Sequence, residues 1–313
     1  MTHPTNGHDP RTIIISDREH GLPFSKGLMA GTIMAAGLSP ARAYHVAQVI
    51  EDRLLQTGRR SVASTELRRM AEEAIREEAG DRYAESYMKW QSVADLDRPI
   101  IILIGGGTGA GKSTIATQLA ARLGIVRIIS TDAIREVMKG VVSHRFMPTL
   151  YTSSFDADEV VRSKVPAGDD AVLAGFRDQA AAVSVGVRSL MERSVTEGTD
   201  VIIEGAHIVP GFLDAGDLRG KAVVVQMAVL VEDEDLHRSH FSVRGHQTRA
   251  RPQRRYLEHF DNIRRIQKFI RSQALAHGVP VISNYDLDAT LAAAIDVVVS
   301  TATEAVATGR RPV

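Results

Sequence analysis

The chain of 313 residues contains no cysteine. Disulfide bonds, thiolate catalysis and cysteine-ligated zinc are therefore excluded, and the reducing cytoplasm is the predicted compartment. The chain also has no net charge, because 38 basic side chains are balanced by 38 acidic ones. Such a balance gives the whole molecule no field that would draw it to nucleic acid or to a membrane surface. No apolar run approaches the roughly 18 residues that a membrane-spanning helix needs.

The length and composition of the chain suit two domains. Residues 11–95 contain one short strand-like run, Thr12–Ile15, and then mostly helical patterns, which predicts a small helical domain. The segment Asp95–Pro99 breaks the helical pattern, so a second domain is predicted over 97–303. The ends of the chain, 1–10 and 304–313, are expected to be disordered tails.

The second domain alternates strand and helix patterns. Its first strand pattern, Ile100–Ile104, is a continuous apolar run, as expected for a strand that is covered on both faces. Further strand patterns lie at 126–130, 201–204, 222–231 and 279–283, and helical patterns lie at 113–123, 176–193 and 256–276. This alternation predicts an α/β fold, a doubly wound parallel sheet with right-handed crossovers.

Residues 106–113 read Gly-Gly-Thr-Gly-Ala-Gly-Lys-Ser and match the phosphate-binding loop (P-loop) pattern in full. A strand pattern runs straight into the loop and a helical pattern leaves it, which is the context that this motif requires. Glycines let backbone N–H groups turn toward phosphate oxygens that side chains would obstruct. The predicted nucleotide-binding residues are Gly106, Gly107, Thr108, Gly109, Ala110, Gly111, Lys112, Ser113 and Thr114.

Two side chains of the loop have predicted roles in handling ATP. Lys112 is expected to bridge the β- and γ-phosphates, and the hydroxyl of Ser113 is expected to ligate Mg²⁺. No Asn-Lys-x-Asp motif for reading guanine is present in the sequence, which disfavours a GTPase. ATP and Mg²⁺ are therefore the predicted nucleotide and metal.

Asp132 follows the second strand pattern of this domain and precedes a helical pattern that begins at Ala133. In a doubly wound sheet that strand end faces the ligand crevice. A carboxylate there can accept the proton of an acceptor hydroxyl, and Arg135 can bind an anionic substrate. The alternative is that Asp132 only caps the helix.

The third strand pattern ends in Glu204, which can hold a water molecule on Mg²⁺. The alternative is an ordinary polar strand end. His207 lies three residues further on, but the Glu-x-x-His spacing is not interpreted as a metal site, because no third ligand is evident.

The stretch Leu236–Arg271 contains ten Lys/Arg and only two acidic residues. It can be a solvated helix face, a nucleic-acid patch or a mobile lid over the triphosphate. Few aromatic residues are present there to stack bases, which weakens the second interpretation. The lid interpretation is preferred, with Arg249 and Arg251 as the catalytic arginines that neutralise charge on the transferred group.

The segment Phe146–Phe155 is rich in hydroxyl groups and is expected to shape the acceptor pocket. Thr152 and Ser153 are predicted to donate hydrogen bonds to substrate oxygens, although a simple capping loop explains them equally well. The sequence does not indicate the oligomeric state.

Five segments of the second domain resemble the 2-phosphoglycerate kinase family: 105–116, 130–138, 148–154, 204–211 and 254–260. The first domain, with Phe24-Ser25-Lys26 and Tyr83–Tyr87, resembles the ATP-cone module that precedes the kinase in that family. This resemblance covers about 12–303. It implies a P-loop kinase that transfers the γ-phosphoryl group of ATP to the 3-hydroxyl of 2-phosphoglycerate.

The resemblance has one departure. ATP cones carry a basic pair after their first strand, where this chain has Ser16-Asp17 before Arg18. Nucleotide binding by the first domain is therefore not implied. Two alternatives to the function stay open: a kinase of another small anionic acid, and a non-catalytic protein that senses ATP.

Overall fold

The computed structural model describes residues 13–17, 20–94, 98–161, 168–218, 220–247 and 253–309. The described residues divide into two compact units. The first contains the residues up to 94 together with 122–124, and the second contains the rest. The predicted domain boundary at 95–97 and the predicted tail 1–10 lie outside the described residues.

The first unit combines a small sheet with four helices. Its strands are β1 (Ile14–Asp17), β2 (His20–Pro23) and β3 (Ser61–Ala63), in the order β2-β1-β3. Its helices are α1 (Lys26–Met34), α2 (Pro40–Gln56), α3 (Ser64–Ala79) and α4 (Asp81–Ala94). Strand β1 is antiparallel to β2 and parallel to β3. The resemblance of this unit to an ATP cone remains a prediction.

The second unit is built on a five-stranded sheet in which every neighbouring pair of strands is parallel. The strands are β4 (Ile100–Gly105), β5 (Ile128–Ser130), β6 (Val201–Glu204), β7 (Val223–Leu230) and β8 (Val281–Ser283). Their order is β5-β6-β4-β7-β8. All residues of β4 are buried, so the central strand is covered on both faces. The predicted doubly wound α/β fold is confirmed.

Seven helices of the second unit accompany the sheet within the described residues. They are α5 (Lys112–Leu123), α6 (Thr131–Lys139), α7 (Ala171–Glu197), α8 (Glu234–Gln247), α9 (Gln253–Glu258), α10 (Phe260–Ala276) and α11 (Leu287–Gly309). Short 3₁₀ turns lie at Pro148–Tyr151, Ala157–Val160 and Gly216–Leu218. In the part of the chain that is described, no helix is long and apolar enough to span a membrane.

The end of α11 corrects the predicted tail over residues 304–309, which are helical. The helix is anchored by buried Val299 and Ala302, and Arg98 donates a hydrogen bond to the carbonyl oxygen of Ala305 at 3.1 Å. Because each residue added to an existing helix gains a backbone hydrogen bond without a new nucleation cost, the packed helix extends through these residues.

Candidate active site

Three neighbouring strands end side by side at one edge of the sheet. Glu204, the last residue of β6, is in register with Ile104 of β4 on one side and with Ser130 of β5 on the other. Strand β4 leads into the P-loop, and β5 leads into α6, which carries Asp132. The carboxyl edge of a doubly wound sheet is where ligands bind, and the predicted site residues follow these strand ends.

The P-loop joins β4 directly to α5, as the sequence predicts. Gly106 has φ 141°, and a Cβ atom there would lie 2.0 Å from the carbonyl oxygen of Val229. Only glycine therefore fits at this position. Lys112 is the first residue of α5 and is buried, and its Nζ donates a hydrogen bond to the carbonyl oxygen of Gly107 at 2.8 Å. The lysine ammonium thus lies inside the loop that precedes it.

Three side chains outside the motif bind the carbonyl groups of the P-loop. His237 Nε2 lies 2.8 Å from the Thr108 oxygen, and His240 Nδ1 lies 3.0 Å from the Gly109 oxygen. Asn284 Nδ2 donates to the Ala110 oxygen at 3.0 Å. These three residues were not predicted from the sequence. The one available signal was the position of Asn284, directly after the last strand of the sheet.

His237 is held in its neutral form. Burial lowers the pKa of His237 to about 4, against the opposing effect of its hydrogen bond to the Thr108 carbonyl. Since Nε2 donates to that carbonyl, Nδ1 of the neutral ring is an acceptor and faces NH1 of Arg264 at 3.3 Å. His237 of α8 thus supports the P-loop, and Arg264 of α10 in turn contacts His237.

Ser113 and Glu204 form the pair that the sequence predicts for Mg²⁺. The Ser113 hydroxyl donates to Glu204 Oε1 at 2.9 Å, and Glu204 is buried. Two oxygen ligands suit Mg²⁺, which takes few protein ligands and completes its shell with phosphate oxygens and water. No cluster of three or more His, Cys, Asp or Glu side chains suited to a metal occurs in the described residues. The donor set at the mouth of the P-loop therefore fits Mg²⁺ bound together with a nucleotide.

Asp132 lies in the first turn of α6, which begins at Thr131 and not at Ala133 as predicted. The side chain of Ser130 caps this helix by accepting a hydrogen bond from the Ala133 N–H at 3.1 Å. Ser130 is therefore the N-cap residue of α6, in place of Asp132, which the alternative interpretation proposed as the cap. The Asp132 side chain is 55% exposed, and its Oδ1 lies 3.6 Å from NH2 of Arg135.

Arg135 is buried beside this carboxylate. Its NH1 donates to the Thr152 carbonyl, and its Nε has no hydrogen-bond partner among the described residues. A buried guanidinium with an unused donor can accept an anionic ligand. Binding of an anionic substrate by Arg135 stays a prediction.

The predicted acceptor segment contains a 3₁₀ turn at Pro148–Tyr151. The Thr152 hydroxyl donates to the Thr149 carbonyl at 3.2 Å, which is the contact that the capping interpretation predicts. Ser153 is half-buried, and its carbonyl accepts from the N–H of Asp156 at 3.0 Å. Substrate binding by Thr152 and Ser153 stays a prediction.

The two predicted catalytic arginines, Arg249 and Arg251, lie outside the described residues. Arginines on either side of them are engaged with neighbours. Arg238 stacks over the ring of Phe260 at 3.8 Å, and Arg255 NH2 donates to buried Asp156 at 2.6 Å.

His207 is fully enclosed and is hydrogen-bonded by neutral partners, Thr131 Oγ1 at 2.8 Å and Gln179 Oε1 at 2.9 Å. Burial is the main cause that lowers the pKa of His207 to about 4, and the charges of Asp132, Arg135 and Lys112 act on it as well. Three predicted site residues, one from the P-loop and two from α6, therefore lie within electrostatic reach of one buried ring.

Known proteins are similar to this chain over segments much longer than the P-loop. Residues 84–149 match the Zeta toxin family. A 2-phosphoglycerate kinase of Methanothermobacter thermautotrophicus is 43% identical over 88% of this chain and 90% of its own. That of Methanopyrus kandleri is 40% identical over 90% of this chain and 85% of its own. Shikimate kinase from Acinetobacter baumannii, solved with shikimate, is 18% identical over 66% of this chain and 94% of its own, with a TM-score of 0.35.

Proposed function

Because the chain belongs to the 2-phosphoglycerate kinase family, we propose that it transfers the γ-phosphoryl group of ATP to the 3-hydroxyl of 2-phosphoglycerate. The products are 2,3-bisphosphoglycerate and ADP. The observation that carries the proposal is the identity of 43% with a 2-phosphoglycerate kinase over 88% of the chain. Mg²⁺ as the metal and the cytoplasm as the location belong to the same proposal.

The donor half of the proposed site is the P-loop with the Ser113–Glu204 pair. Lys112 binds the β- and γ-phosphates, and its position at the start of α5 adds the positive end of the helix to the same field. The Ser113 hydroxyl would ligate Mg²⁺ and Glu204 would hold a water molecule on it, and the ion would neutralise charge on the phosphates. The hydrogen bond of 2.9 Å between the two side chains supports this assignment.

The acceptor half is the start of α6. Asp132 accepts the proton of the 3-hydroxyl while that oxygen attacks the γ-phosphorus, and the bond between this phosphorus and the β,γ-bridging oxygen breaks. Arg135 binds the acidic groups of the acceptor. The 3.6 Å separation of the Asp132 and Arg135 side chains supports a shared ligand. Thr152 and Ser153 are assigned to hydrogen-bonding the acceptor, and Arg249 and Arg251 are assigned to neutralising charge on the transferred group.

A non-catalytic ATP sensor explains less of the site. Such a protein needs the P-loop. It does not need an exposed carboxylate, Asp132, beside a buried arginine, Arg135, after the carboxyl end of β5. A kinase of another small anionic acid uses the same arrangement, so the two kinase hypotheses differ only in the acceptor.

The proposal predicts a strong preference between phosphoglycerate isomers. In 2-phosphoglycerate the carboxylate and the phosphate are both borne by C2, beside a primary hydroxyl. In 3-phosphoglycerate the free hydroxyl is secondary and adjoins the carboxylate, so the same binding presents the wrong atom. A misplacement of about 1 Å can cost about 100-fold. We therefore expect kcat/KM to be at least about 100-fold higher for the 2-phospho isomer.

ADP release on each purified isomer measures this preference, in the absence of mutase and enolase. Unphosphorylated glycerate serves as the control that lacks the phosphate. Equal rates with both isomers, or faster turnover of glycerate, would leave a kinase but exclude 2-phosphoglycerate as its acceptor.

We also propose that the catalytic unit is contained in residues 97–303. Deleting residues 1–95 is expected to leave a folded kinase, because every phosphate-binding motif follows Pro99. Circular dichroism and ADP release on the truncated protein test this. A soluble and folded truncation without any activity would show that the first unit is needed for catalysis.

A further inference from the structure

We propose that His207 is a positioning residue for the acceptor, acting through a buried hydrogen-bond relay that runs from Thr131 through His207 to Gln179. This inference rests on the proposed function and deepens it. The relay connects the start of α6, which carries Asp132, with the turn at 149–152, after which the Thr152 carbonyl oxygen accepts a hydrogen bond from Arg135.

The relay is built from three elements that are distant in the sequence. Thr131 opens α6, His207 follows β6, and Gln179 lies in α7. All three side chains are buried, with His207 at 1% exposure and the other two at 0%. His207 Nδ1 lies 2.8 Å from Thr131 Oγ1, and His207 Nε2 lies 2.9 Å from Gln179 Oε1. The imidazole is thus bonded at both nitrogens and bridges α6 and α7.

The direction of every bond in the relay follows from the chemistry of the groups. Gln179 Nε2 donates to two carbonyl oxygens, those of Thr149 and, at 3.1 Å, Thr152. Gln179 Oε1 therefore faces His207 and can only accept, so His207 carries its proton on Nε2. In the neutral ring Nδ1 is then an acceptor, and the hydroxyl of Thr131 donates to it. Burial, which lowers the pKa of His207 to about 4, is consistent with this tautomer.

The two ends of the relay meet the groups assigned to the acceptor. Thr131 is the residue before Asp132, and the Thr152 carbonyl at the far end also accepts from Arg135 NH1. The approach of Thr131 depends on Gly205, because a Cβ atom there would lie 1.8 Å from Thr131 Oγ1. Within the described residues, no side-chain hydrogen bond of the three relay members reaches the P-loop. Loss of the relay should therefore weaken binding of the acceptor more than binding of ATP.

Steady-state kinetics on three relay variants test this split. Thr131→Val keeps the size of the side chain but removes the donor to His207, whereas Thr131→Ser keeps the hydroxyl. We expect Thr131→Val and His207→Leu to raise KM for 2-phosphoglycerate by about tenfold or more and to leave KM for ATP within about twofold. Thr131→Ser should retain both KM values. Met191→Ala, at a fully buried position of α7 further along the helix, is the control for a general loss of packing.

Equal increases in both KM values, or no increase for 2-phosphoglycerate, would overturn the positioning role. If the protein phosphorylates a different acid, the proposed function fails. The positioning role of His207 is then tested by comparing KM for that acid with KM for ATP in the same variants. The two hypotheses are thus tested separately.

NMR of the wild-type protein tests the relay without any substrate. Long-range ¹H–¹⁵N spectra at pH 7, with His207 assigned by comparison with His207→Gln, report which ring nitrogen carries the proton. The relay requires a neutral ring protonated at Nε2. A ring protonated at Nδ1, or a charged imidazolium, would overturn it whatever the kinetics show.

Discussion

Lys112→Ala is expected to lower turnover by at least about 100-fold, the usual scale for losing one electrostatic donor at a transition state. Its ammonium group lies buried in the P-loop, where charge builds up on the transferred phosphoryl group. The surrounding dielectric is low, so water cannot replace the missing charge efficiently. Turnover at saturating ATP and 2-phosphoglycerate is the measurement.

The Lys112 experiment has two controls. Lys112→Met keeps the length of the side chain without the charge, so it should show the same loss as alanine while filling the buried space. Lys268→Ala removes an exposed lysine from α10 and should leave turnover unchanged. Near-wild-type turnover of folded Lys112→Met would contradict the assignment of the P-loop as the phosphate site.

Asp132→Asn is expected to lower the rate of phosphoryl transfer by about 100- to 10,000-fold, the range that proton transfer by a positioned side chain contributes. An amide has nearly the same shape as a carboxylate, but it cannot accept the proton of the attacking hydroxyl. ATP affinity should stay unchanged, because Asp132 follows a different strand from the P-loop. Single-turnover rates and ATP binding measured on the same preparation separate the two effects.

Glu136 offers a closely matched control for Asp132. Its Oε1 also lies 3.6 Å from Arg135 NH2, and its side chain is 60% exposed against 55% for Asp132. The hydrogen bond from Lys139 lowers the pKa of Glu136, so this carboxylate is already occupied and is a weak base. Glu136→Gln should therefore turn over at a rate close to that of the wild type. If both variants lose activity equally, the effect comes from the charge around Arg135 and not from a base at Asp132.

The central strand and its loop could be predicted from the sequence because their signals are local. Ile100–Ile104 is apolar throughout, and the P-loop pattern follows it after a single glycine. The two short strands of the first unit, β2 and β3, could not be predicted, because runs of three or four residues show no periodicity. The strand predicted at 126–130 begins only at Ile128, since Val126 is 92% exposed.

The parts of the site that depend on distant contacts could not be predicted. His237 and Asn284 bind the P-loop from positions more than a hundred residues away. Nothing in the sequence around His237 marks it, and Asn284 is indicated only by its place directly after the last strand. The helix predicted over 256–276 is interrupted at His259, where the ring lies 2.9 Å from buried Asp156. Such breaks follow from tertiary contacts that single-sequence periodicity does not contain.

Identification of the product tests the central claim most directly. The protein is incubated with ATP, Mg²⁺ and pure 2-phosphoglycerate, and the reaction is followed by ³¹P NMR. We expect ADP to appear in the same amount as a compound that carries phosphate groups on both C2 and C3. No free orthophosphate is expected. ADP with orthophosphate and unchanged 2-phosphoglycerate would show an ATPase, and would contradict the assignment of the acceptor.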